Sequence, residues 1–248
     1  MKRLLFLLFS LPLIASSQVS IMFSEYVEGS SFNKYLEIYN PTLLPVNLDE
    51  YAYVFCWNGC DSLQWEYQIS FDSAFVLQPN QTYILAHHNS DSIILSAANQ
   101  TTNLLSNGND VAAIFNIVTN SVIDIIGEFS STAPTNGWTV DNLLNATKDH
   151  TLIRKNDVCS GNFGDWNLSN GSISSSEWII DSLDNFQNIQ MHNSVCNVSS
   201  LDNLDLDNPN KVLREIRDIL GRNTKVKPNI LLFFIYDDGT IEKRILIE

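Results

Sequence analysis

The chain has 248 residues, enough for one large or two smaller domains, and its 44% apolar content is that of a globular protein. It carries 28 acidic against 14 basic residues, a net charge of -14. The charge is unevenly placed: residues 18–210 hold 22 acidic against 4 basic residues (Lys34, Lys148, Arg154, Lys155), whereas residues 211–248 hold 8 basic against 6 acidic. The body has too few cations to displace counterions from a phosphate backbone, which argues against nucleic acid as its partner. Acidity of this kind serves solubility outside the cell; a calcium-tolerant surface or a basic partner are the sharper readings.

In chain order, Lys2 and Arg3 precede an apolar run, Leu4–Ile14, and small residues Ala15-Ser16-Ser17. Residues 1–17 therefore read as a secretory signal peptide cut near Gln18, the run being too short for a membrane span. No other apolar stretch approaches membrane length, so the mature chain is expected to lack a transmembrane helix. Next comes a hairpin, Met22–Val27 and Lys34–Tyr39. On its second strand Leu36 and Ile38 fall on one face and Tyr35, Glu37 and Tyr39 on the other, the period-2 pattern of a strand.

Further strands are expected over Val46–Phe55, Leu63–Ile69, Phe75–Leu77, Thr82–His87, Val111–Ile117, Val122–Ile126 and Thr151–Arg154. Ile93–Ala98 reads equally as one helical turn or a loop. Asn58-Gly59 and Gln78-Pro79-Asn80-Gln81 mark turns. Short strands with almost no helical periodicity predict one all-β antiparallel sandwich over residues 18–193. Residues 194–210 include SSLDNLDLDNP and read as an acidic linker. Residues 211–248 read as a small β-rich module, with strands over Ile230–Tyr236 and Thr240–Ile247 joined by Asp237-Asp238-Gly239.

The four cysteines are Cys56, Cys60, Cys159 and Cys196. An even count in an exported chain points to disulfides. Cys56 and Cys60 flank the turn Trp57-Asn58-Gly59, which favours a local bridge and leaves Cys159 to Cys196. Zinc is the rival reading, but C-x3-C without a second close pair or nearby histidines is a poor zinc pattern.

No catalytic motif stands in the sequence: no G-x-S-x-G, no H-E-x-x-H, no P-loop. His87 and His88 adjoin on a predicted strand, which would send them to opposite faces. His150 follows Lys148-Asp149 without a nucleophile motif and reads as a turn. Glu25, Glu28 and Glu37 cluster in the opening hairpin. They could hold a structural calcium, but acceptance of hydrogen bonds at the sheet corner is the plainer role. No other cofactor is expected. Of Trp57, Trp65, Trp138, Trp166 and Trp178, only Trp57 in its turn is expected to be an exposed contact; the others read as core.

Several segments resemble the lamin tail domain family, in particular its bacterial secreted branch. These are Phe23–Ser31 (FSEYVEGSS), Leu36–Pro41 (LEIYNP), Asn107–Ala112 (NGNDVA), Val122–Gly127 (VIDIIG) and Thr151–Lys155 (TLIRK), in that order. The resemblance spans roughly Val19 to His192 and implies an immunoglobulin-like sandwich used for binding or structure. The tail resembles type IX secretion sorting domains through Asp218-Ile219-Leu220-Gly221-Arg222 and Tyr236-Asp237-Asp238-Gly239-Thr240. That implies engagement with secretion machinery, then surface attachment or release; a small adhesive module is the alternative. The resulting expectation is a non-enzymatic exported module that meets protein or glycan at the cell envelope. The rival is a metal-dependent phosphodiesterase or nuclease, or an accessory domain of one.

Overall fold

The computed structural model describes residues 20–172, 175–196, 213–227, 230–237, 239 and 241–245. The expected signal peptide (1–17), most of the expected linker (197–210) and the turn residues Asp238 and Thr240 lie outside the described residues. The chain divides into two compact units, Met1–Asn197 and Val198–Glu248.

The opening hairpin forms as its alternation dictates. β1 (Met22–Glu28) pairs antiparallel with β2 (Lys34–Tyr39), placing Tyr26 opposite Leu36 and Val27 opposite Tyr35. A register shift between Phe23 and Glu25, a bulge, lets Phe23 and Tyr26 share the inner face although they are three residues apart. Downstream come β3 (Val46–Asn47), β4 (Tyr51–Cys56), β5 (Tyr67–Ser70), β6 (Val76–Leu77) and β7 (Thr82–His87). These are followed by α1 (Ser92–Ala97), β8 (Gln100–Thr102), β9 (Val111–Asn116), β10 (Ser121–Ile126), β11 (Thr151–Arg154), α2 (Asn167–Asn170) and β12 (Trp178–Asp181).

One sheet has the order β12-β11-β1-β2-β7-β8, the other β10-β9-β4-β5, and β3 and β6 make a small separate ladder. The result is an all-β sandwich with an immunoglobulin-like architecture. Its core joins Phe23, Leu36, Ile38 and Leu85 from the first sheet to Tyr53, Phe55, Ala113 and Ile125 from the second. Every residue of β1 is buried, an unusual pattern for a sandwich strand. The outer face of its sheet is also covered. Val27, Tyr35, Ile84 and Ala86 pack there with Ile94 and Ala97 of α1, and with Phe186 and Ile189 of the segment after β12.

Three expectations need correction. Val46–Phe55 is not one strand, because the Asn47 side chain accepts the Asp49 N–H at 3.1 Å and starts a 3-10 turn over Leu48–Glu50. The strand expected from Leu63 begins only at Tyr67; Leu63 sits in left-handed backbone (φ 53°) and donates its N–H to the Cys60 carbonyl. The sheets are not wholly antiparallel, since β8 joins β7 in parallel after the α1 crossover.

In the second unit, β13 (Leu213–Asp218), β14 (Leu231–Tyr236) and β15 (Ile241–Ile245) form an antiparallel sheet with β14 in the middle, and Leu232 and Phe234 are buried. Asp218 closes the turn after β13. It accepts the backbone N–H groups of Leu220 and Arg222, and the Arg222 Nε–H at 2.8 Å. Gly221 there has φ +76°, the left-handed region that glycine enters without steric cost. The Gly239 N–H donates to the Tyr236 carbonyl, and the Tyr236 hydroxyl contacts Glu242 Oε2 at 2.7 Å. Asp237 and Gly239 are the described residues of that turn.

Candidate functional site

The outer face of the six-stranded sheet carries two carboxylates in register. Glu25 on β1 lies opposite Glu37 on β2 and opposite Ile153 on β11, and both side chains are buried. Like charges directly across a ladder repel, and burial compounds the penalty on the ionised form. Burial, then the Glu37 charge, pushes Glu25 from its ordinary 4.5 up to about 8. Burial raises Glu37 to about 7, against hydrogen bonds that favour its anion. Those bonds come from the Ser24 hydroxyl (2.7 Å) and the Gln190 backbone N–H (2.6 Å), while the Tyr35 hydroxyl donates to Glu25 at 2.5 Å.

The segment from Ser182 to Cys196 lies across this face. Asp184 accepts the Ser30 N–H, Phe186 meets Tyr35 edge-on with centroids 6.2 Å apart, and the His192 ring sits 4.5 Å from that of Tyr39. Burial, followed by the charge of Arg154, lowers His192 to about 4. The segment ends at the Cys159–Cys196 disulfide, which ties it to the loop after β11.

Between segment and sheet opens a cleft of about 490 Å³. Ile153, Ile179 and Met191 supply apolar surface; Glu25, Lys155, Asn156, Asn188 and His192 supply donors and acceptors. Beside it Arg154 is fully buried. It pairs with Asp124 Oδ2 at 3.2 Å and lies 4.5 Å over the Trp178 ring. Glu177 Oε2 is 3.0 Å from the guanidinium, an ion pair without hydrogen-bond alignment. Asp124 also accepts the Phe23 and Asn162 N–H groups, so this charge pair locks β1, β10 and β11 together. A mixed polar and apolar wall on a rigid sheet can hold a polar ligand in one orientation.

The other residues singled out in the sequence are dispersed. Cys56 bonds Cys60 across its turn. Asp110 anchors that turn by accepting the Asn58 N–H, and it also accepts the Asn107 N–H. Glu28 does not join the other two glutamates; it pairs with Lys34 at 3.4 Å and accepts the Asp149 N–H at 2.7 Å. Among the described residues, no three His, Cys, Asp or Glu side chains are grouped to hold a metal ion.

His87 and His88 do not diverge to opposite faces as expected. β7 ends at His87, the chain turns, and the two rings stack with centroids 4.7 Å apart, His87 also stacking on Phe32. His150 contacts the Lys148 carbonyl through Nδ1. Trp57 is the exposed tryptophan (39%), leaning on Phe55 and Tyr67, whereas Trp138, Trp166 and Trp178 are buried. Sequence reasoning missed the cleft, its covering segment and His192. The available signal was Arg154, a cation in a body nearly devoid of them.

The Lamin Tail Domain family model matches residues 14–129. The lamin tail match takes in β1 to β10, hence both faces of the main core, and ends before β11, β12 and the covering segment. It is narrower than the resemblance in the sequence, whose Thr151–Lys155 segment lies beyond it. The family match over residues 14–129 and the immunoglobulin-like sandwich are consistent with a non-enzymatic domain. No match was found among curated proteins or among solved structures. Among the described residues no helix is long and apolar enough to cross a membrane.

Proposed function

We propose that this protein is an exported, non-enzymatic binding or adhesion module of the bacterial secreted lamin tail type, displayed at the cell surface or released. The observation that carries the binding role is the cleft beside Glu25. It is preformed, it offers amide and charged groups above apolar surface, and its covering segment is pinned by a disulfide. Two disulfides in one chain support an oxidising destination outside the cytoplasm. The residues 1–17 that read as a signal peptide support the same address. Lining of this kind suits an extended polar polymer, a glycan or a peptide of the envelope. Residues 211–248 are the sorting or anchoring part, which secretion machinery would recognise through the Asp218–Arg222 turn and the Tyr236–Gly239 turn.

The test is binding of the purified protein to arrays of envelope glycans and peptides, repeated with Ile179→Arg. Ile179 is 51% exposed, so a long cation there fills the cleft without entering the core. We expect the variant to lose affinity about tenfold or more, the scale of ~1.4 kcal/mol. Retained affinity would move the contact elsewhere. Turnover of a phosphodiester substrate with magnesium, manganese or calcium would replace the binding role with the nuclease alternative.

A further inference from the structure

We propose that Lys34 and Asn107 are joined by an intramolecular isopeptide bond that the protein forms by itself, with Glu28 shuttling the proton. The three required groups, an amine, a carboxamide and a carboxylate, meet at one edge of the sandwich. Lys34 Nζ lies 2.5 Å from Asn107 Oδ1 and 3.4 Å from Glu28 Oε1. The first distance is tighter than an ordinary N–H···O hydrogen bond. It brings the amide carbon, one bond behind that oxygen, within reach of the nitrogen. The Lys34 and Glu28 side chains are only 12% and 10% exposed.

Each partner is held by the backbone around it. Glu28 and Lys34 are direct partners across β1 and β2. The second oxygen of Glu28 accepts the Asp149 N–H, and the Glu28 N–H donates to the His150 carbonyl. Asn107 is fixed on both sides: its N–H donates to Asp110 Oδ2, and its carbonyl accepts the Tyr26 hydroxyl at 3.1 Å. Such fixing supplies the high effective concentration that a slow amide exchange needs.

The step balances without any other reactant. Glu28 takes a proton from the Lys34 ammonium, and the freed Nζ lone pair attacks Cγ of Asn107. Glu28 then passes that proton to Nδ2, the C–Nδ2 bond breaks, and the second proton shed by Nζ goes through Glu28 to the departing ammonia, which leaves as ammonium. Ammonium and primary carboxamide become secondary amide and ammonium, with no change of oxidation state. The bond joins β2 of the six-stranded sheet to the turn that leads into β9 of the four-stranded sheet, bridging residues 73 apart.

The experiment is intact-mass and tryptic-peptide mass spectrometry of the exported full chain under non-reducing conditions, with Lys34→Arg and Glu28→Gln alongside. We expect the wild type to be lighter by one ammonia beyond the hydrogens lost to its disulfides. We also expect no tryptic cleavage after Lys34, so that Lys34 and Asn107 remain in one internally looped peptide that runs to Lys148. Both variants should show the full mass. The wild-type digest decides the matter even if a variant fails to fold. Cleavage after Lys34, giving one peptide that ends there and a separate Tyr35–Lys148 peptide of full mass, would overturn the proposal. So would an ammonia deficit that persists in Lys34→Arg, which would assign it to an Asn107-Gly108 succinimide or a cyclised Gln18.

Discussion

At the scale of single residues, the buried Glu25 and Glu37 make stability depend on pH in a defined direction. Both carboxyls titrate higher in the fold than in the unfolded chain, so between pH 4.5 and about 8 the native state holds more protons. Stability from these groups is complete below 4.5 and is lost as pH rises toward 8. His192 acts oppositely: neutral in the fold down to about 4, it costs stability as pH falls from its ordinary 6.5 toward that value. Glu25→Gln keeps an acceptor for the Tyr35 hydroxyl and removes the repulsion. It should therefore stabilise the protein at pH 8 by ~1–3 kcal/mol, with little effect at pH 4.5. Urea unfolding at the two pH values checks this; equal effects at both would show that burial of the charge is not the cause.

At the scale of elements, the covering segment depends on its disulfide. Cys159 and Cys196 are 37 residues apart and Cys56 and Cys60 only 4, so chain entropy makes the first bridge the stronger constraint on the unfolded state. Replacing Cys159 and Cys196 by Ser should cost about 3–4 kcal/mol on that model. The covering segment should also open locally, so that amide exchange at Phe186–His192 accelerates beyond what the fall in global stability produces in β4 and β9. Uniform acceleration across both sheets would mean that the segment is part of the cooperative core.

The same elements show what could be read from sequence. Leu36 and Ile38 alternating with Tyr35 and Glu37 placed β2 correctly, because a half-polar strand has one stable orientation. The Asn58-Gly59 turn between two cysteines likewise announced its local disulfide. The Glu25–Glu37 pairing depended on a bulge that alternation cannot reveal. The stacking of His87 on His88 depended on where β7 stops. The covering segment (DNFQNIQMHN) has neither period, so only Phe186 and Ile189 docking on a finished sheet define it.

At the scale of the whole molecule, a sandwich buried on both faces of one sheet leaves loops, edges and the cleft as its contact surfaces. A separate β unit follows in the chain. The proposed function assigns contact to the acidic body, residues 18–210, and delivery to the mildly basic tail, residues 211–248. Surface protease accessibility and fractionation of cells producing the full chain, or the chain lacking Lys211–Glu248, test this division most directly. The account predicts that the truncated protein crosses the inner membrane yet is absent from the surface and the medium, while the full chain reaches them. Normal surface display of the truncated protein would contradict it.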